Sequence, residues 1–148
     1  MIHIYVDADA CSVKEEVYRV ARRYKLPVTL VANSPMRVPD DAELEVVGGD
    51  PDEADDWIVE QVHANDIVIT ADIPLAARCL EKGAHALGQK GRVFTEASMG
   101  EALASRELSA HLREHGMVTG GPAPFGPKDR SRFLQALDNV VNAALRGA

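Results

Sequence analysis

Two short apolar runs in this chain each end in aspartate. The first, Ile2-His3-Ile4-Tyr5-Val6, is followed by Asp7-Ala8-Asp9, and the second, Ile67-Val68-Ile69, by Thr70-Ala71-Asp72. Runs of this length with polar flanks are the pattern of strands buried on both faces, as in parallel sheets. Parallel neighbours need long crossovers, usually helices, and these cover the faces. Ligands of open sheets of this kind bind beyond the carboxyl ends of the strands. The two runs are therefore expected to bring carboxylates to one edge. Carboxylates held together repel each other unless a cation or a proton intervenes. The pattern points to a divalent metal and, through it, to phosphate chemistry.

The rest of the chain fits one domain around such a sheet. A length of 148 residues suits a single core. No apolar stretch approaches the roughly 20 residues that span a membrane. Asp7 and Asp9 interrupt the first apolar run and no basic segment precedes it, so a signal peptide is not expected. Cys11 and Cys79 have neither metal-site nor disulfide spacing, which suits a reducing cytoplasm. The net charge of −7 argues against a general nucleic-acid coat, because such binding depends on neutralising phosphates. A local basic patch or bound metal ions could offset it.

Strand and helix signals alternate. Strands are predicted over Ile2–Val6, Val28–Ala32, Leu44–Val47 and Ile67–Thr70, with short ones near His85–Leu87 and Arg92–Phe94. A helix is predicted from Ser12, where Ser12 and Glu15 form a capping-box pattern. Further helices are predicted over Glu53–Val62, Pro74–Lys82 and Ser98–His115. The segment Asn33–Asp41 and the Gly/Pro-rich Thr119–Pro127 read as loops. A last amphipathic helix carries the stripe Phe133, Leu137, Val140, Val141 and Ala144. The expected fold is a single-domain three-layer α/β/α sandwich with a mainly parallel sheet of four to six strands.

Asp7 and Asp9 flank one residue, so in extended backbone both would point to one side and could share a cation. A turn that uses Asp to bind local amides is the structural alternative, but Asp-x-Asp directly after a buried strand favours the site. Asp72 can cap the helix that starts near Pro74, or join Asp7 at a shared site, with Thr70 bonded to the same cluster. Asp52, Asp55 and Asp56 open a helix, where acidic side chains suit the dipole. Of these, Asp55 best shares the face of Ile58 and Val62, and Asp56 is expected to face solvent. Hard oxygen ligands without paired His or Cys favour Mg²⁺ or Mn²⁺. Ser12 and the amides of its helix offer a phosphate site. Lys128 and Arg130 form a second candidate clamp, and Asn33 and Arg37 a weaker one at the same edge. Cys11 lies near carboxylates, which raise a thiol pKa, so it is expected to be structural. His111 and His115 stand at i, i+4 but at a helix C-terminus, where histidine suits the dipole, so a zinc site is not expected there.

Several segments together resemble the uncharacterised bacterial YaiI/YqxD family. They are Val6-Asp7-Ala8-Asp9-Ala10-Cys11, Val31-Ala32-Asn33 with Arg37-Val38-Pro39, Asp52-x-Ala54-Asp55, the block Ile69-Thr70-Ala71-Asp72-Ile73-Pro74-Leu75-Ala76, Lys82-Gly83-Ala84, Thr119-Gly120-Gly121-Pro122 and Asp129-Arg130. That family is regarded as similar to PIN-like nuclease domains, in which clustered acidic residues bind Mg²⁺ or Mn²⁺ and phosphodiesters, usually of RNA, are hydrolysed. The resemblance implies that Asp7 matches the first such aspartate, Asp72 a later one, and Asp55 or Asp52 a helix-borne one. Ser12 stands where the family usually has proline. Ser98-Met99-Gly100 is a looser match, and no acidic residue follows the strand near Phe94 until Glu96.

Three functions remain open on the sequence. The first is a metal-dependent phosphodiesterase or ribonuclease, with Asp7, Asp9, Asp55 and Asp72 at its centre. The second is a haloacid-dehalogenase-like phosphohydrolase with Asp7 as nucleophile and Asp9 as general acid/base. That mechanism also expects a later lysine and an acidic pair where Asp72 stands alone. The third is a non-catalytic metal- or RNA-binding regulator.

Overall fold

Six strands form one sheet: β1 (Ile4–Asp7), β2 (Val28–Ala32), β3 (Glu43–Val46), β4 (Ile67–Ile69), β5 (His85–Leu87) and β6 (Val93–Phe94). In the computed structural model, which describes residues 2–95, 97 and 125–147, their order is β3-β2-β1-β4-β5-β6. All neighbours are parallel except β5 and β6. Four α-helices are described: α1 (Lys14–Tyr24), α2 (Pro51–Gln61), α3 (Ile73–Glu81) and α4 (Pro127–Gly147).

Alternation along the strands sorts the apolar side chains onto two faces. Ile4 and Val6 of β1, Leu30 of β2 and Ile69 of β4 pack with Val13, Val17 and Val20 of the α1 region and with Phe133, Leu137 and Val141 of α4. Tyr5, Val31 and Val68 pack on the other face with Ala54 and Ile58 of α2 and with Leu75 and Cys79 of α3. The expected α/β/α layering and the apolar stripe of the last helix are both present. Among the described residues, no helix is long and apolar enough to cross a membrane.

The differences from expectation lie at element ends. The Ser12–Glu15 capping box is not made: α1 starts at Lys14 behind Val13 with no side-chain cap. The Ser12 amide instead donates to Gln89 Oε1 at 2.7 Å, and its carbonyl accepts from Arg130 at 2.9 Å. Helix α2 starts at Pro51, ahead of the expected Glu53, because Asp50 caps it by accepting from the Asp52 amide at 3.0 Å. Strand β4 stops at Ile69, one residue early, although the Thr70 amide still donates to the Leu87 carbonyl at 3.0 Å. The helix expected over Ser98–His115, with His111 and His115, and the segment Thr119–Pro122 lie outside the described residues.

Candidate functional site

The strand order reverses at β1: β2 and β3 lie to one side of it, β4 and β5 to the other. The crossover after β1 runs through α1 on one face of the sheet, and the segment after β4 enters α3 on the other. Crossovers leaving by opposite faces open a crevice at the carboxyl ends of the two strands, the usual binding position in open α/β sheets. Asp7 closes β1, and Thr70 and Asp72 follow β4 directly.

Register brings them together. Val6 pairs with Ile69, so Asp7 and Thr70 are next along the two strands. Both continue the face occupied by Tyr5 and Val68. The Thr70 hydroxyl donates to Asp7 Oδ2 at 2.9 Å and accepts the Asp72 amide at 3.0 Å. At 1% exposure, Thr70 is a fixed bridge. Asp72 Oδ1 in turn accepts the Leu75 amide at 2.9 Å and caps α3. The cap and the site readings of Asp72 are therefore compatible, because capping engages one carboxylate oxygen.

Helix α2 supplies the third group. Ala54, Ile58 and Val62 seat its inner face on the sheet, and Asp55 follows Ala54 at the edge. Partial burial, then the charges of Asp72, Asp7 and Asp52, push the Asp55 carboxyl up to about 6, against a lowering pull from Arg78. Asp7 is also raised, by burial first and then by Asp72 and Asp9, while the Thr70 hydrogen bond opposes the rise. Asp7, Asp9, Asp52, Asp55 and Asp72 thus form one electrostatic group. Asp56 turns outward to Arg78 at 2.9 Å, as expected of a solvent-facing residue.

The other candidates are placed differently. After Asp7 the backbone winds into a 3₁₀ turn over Ala8–Ala10, so the extended geometry that would aim Asp9 alongside Asp7 is absent. The Asp9 carboxylate accepts the Asn33 amide at 3.0 and 3.3 Å. The Asn33 side chain donates to the carbonyls of Gly48 at 2.7 Å and Asp50 at 3.2 Å. Asp9 and Asn33 therefore brace the loops after β1, β2 and β3. Arg37 and Lys128 are exposed. Arg130 is anchored: it meets Glu16 Oε1 and the Ser12 carbonyl, both at 2.9 Å, and lies over Phe125 at 4.9 Å. Cys11 packs against the core, and burial raises its thiol, which suits the structural role expected of it. The sequence reading overlooked Asp50, although Asp before Pro is a helix-start signature. It also overlooked Arg78 and Gln89, which no motif marks.

Among the described residues, no three Asp, Glu, His or Cys side chains are placed to hold one metal ion. An all-protein cage does not fit. Mg²⁺ usually keeps several waters and takes only one or two carboxylates plus substrate phosphate. The hard-oxygen pair Asp7 and Asp72, joined through Thr70 at one strand edge, fits that lighter demand.

The profile of the family described as Uncharacterized BCR, YaiI/YqxD family, matches residues 5–143. A UPF0178 protein of Rhodospirillum rubrum is 54% identical over 149 residues, covering 99% of both chains. One from Rhodospirillum centenum is 56% identical over 153 residues, again covering 99% of both. One from Brucella ovis is 56% identical over 143 residues, covering 95% of this chain and 89% of its own. No solved structure matches the chain.

Proposed function

The chain belongs to the YaiI/YqxD family, and from its carboxylate geometry we propose that it is a divalent-metal-dependent phosphodiesterase, acting on RNA in the cytoplasm on a PIN-like fold. The observation that carries this reading is the Thr70 bridge between Asp7 and Asp72 at the point where the strand order reverses. Mg²⁺ or Mn²⁺, when bound, supplies charge neutralisation at the phosphate and lowers the pKa of water. Asp7 and Asp72 hold the ion, and Thr70 fixes the direction of the Asp7 carboxylate. Asp52 adds negative charge that draws the cation in. Asp55, in the same carboxylate group, serves as general acid or base for the leaving or entering oxygen. Asp9 positions the loop rather than the reacting atoms.

The test is hydrolysis of a labelled single-stranded RNA with Mn²⁺ or Mg²⁺. Cleavage by wild type that is lost in Asp7→Asn and Asp72→Asn supports the reading, and no cleavage by wild type on a panel of RNA and DNA substrates opposes it. The second reading is a metal- or RNA-binding regulator without turnover. Binding without cleavage in the same assay would select it.

A further inference from the structure

Beside the carboxylate edge lies a groove of about 350 Å³, lined in part by Ala71, Ile73, Lys90, Arg92, Phe94 and Phe125. Ala71, one of its lining residues, separates Thr70 from Asp72, so the groove adjoins the site along the chain. Its floor is apolar and its rim basic, in a chain whose net charge is −7. The rim is rigidly built. Gly91, at φ +89°, joins Lys90 to Arg92, and a Cβ there would stand 2.9 Å from the Arg132 backbone. The β5–β6 turn therefore packs closely against the start of α4. Arg130 covers one face of Phe125, and Arg92 lies over the Phe94 ring at 5.4 Å. Aromatic rings interleaved with guanidinium groups offer stacking for a base and countercharge for a phosphate.

We propose that this groove binds one unpaired nucleotide of a single-stranded RNA, with its base against Phe125 and Ile73 and its phosphate at Arg92. The choice of ligand rests on the phosphodiesterase reading. A strand seated there passes its next phosphodiester to the edge held by Asp7 and Asp72. A duplex cannot present a free base face to the groove, so single strands are preferred.

The test is fluorescence anisotropy with a fluorescein-labelled oligouridine of about 10 nucleotides, in EDTA and low salt. No divalent ion is present, so a failure of metal binding or cleavage leaves this measurement unaffected. Salt-dependent binding is expected, weakened about tenfold or more by Arg92→Glu and by Phe125→Ala. Arg92→Gln, a milder change, should weaken it less than Arg92→Glu. Arg19→Glu, the same charge change on the exposed face of α1, should leave it nearly unaltered, and a duplex of equal length should bind at least about tenfold more weakly. Three outcomes would overturn the proposal: no binding by wild type, equal loss in Arg19→Glu and Arg92→Glu, or equal affinity for the duplex.

Discussion

Thr70 and Asp7 are joined across neighbouring parallel strands by a 2.9 Å hydrogen bond, and the same hydroxyl accepts the Asp72 amide at 3.0 Å. One buried side chain thus sets the direction of one carboxylate and the backbone entry to another. Thr70→Val keeps the shape and removes both bonds. The donor to Asp7 and the acceptor for the Asp72 amide are lost together, which should cost about 1–3 kcal/mol. Thr70→Ser should restore most of it. Urea unfolding of the three proteins checks this, and a Val variant as stable as wild type would contradict it.

Asp55 titrates with a raised pKa of about 6, and its sign fixes a pH dependence. The folded state holds this proton more tightly than the unfolded chain does. The stability it contributes is full below the ordinary Asp pKa of about 4 and is lost as pH rises through about 6. Asp55→Asn should therefore stabilise the protein near pH 7.5 by about 1 kcal/mol, after allowance for solvent screening of a half-exposed group. Near pH 4 the difference should vanish. Thermal melts at the two pH values measure it.

Asp72 has two roles that separate by substitution. Asp72→Ala removes the cap of α3 and should cost about 1 kcal/mol, whereas Asp72→Asn keeps an accepting oxygen and should cost much less. Both remove the charge, so both should lose divalent-ion binding. Equal stability of the Ala and Asn variants would show that the cap contributes nothing.

Arg130 is an anchor. Its partner Glu16 has a side chain only 11% exposed, and its Oε2 has no hydrogen-bond partner among the described residues. Arg130→Ala should cost about 1–3 kcal/mol by leaving that carboxylate unpaired. Lys128→Ala, at an exposed position, should stay within about 0.5 kcal/mol of wild type. Chemical denaturation distinguishes the two.

The sequence showed the sheet because β1, β2 and β4 are apolar on both faces, and a strand of that kind has few other places to go. It also placed Asp7 and Asp72 at one edge, because the carboxyl end of a parallel strand is fixed by chain direction alone. Side-chain aim was harder to read. Asp9 looked aligned with Asp7 only while the backbone was taken as extended, and the 3₁₀ turn after Asp7 breaks that premise. Ser12 carried a capping pattern, but tertiary bonds from Gln89 and Arg130 took its backbone groups first. Those partners lie far away in sequence, and no local pattern announces them. The outward placement of Asp56 was legible from the spacing to Ile58 and Val62.

The central claim is that Asp7 and Asp72 form one divalent-cation site, and calorimetric titration of Mg²⁺ and Mn²⁺ tests it most directly. Wild type should bind in the micromolar to millimolar range, and Asp7→Asn and Asp72→Asn should each abolish binding while remaining folded. Absence of binding by wild type, or unchanged binding by either folded variant, would contradict the claim.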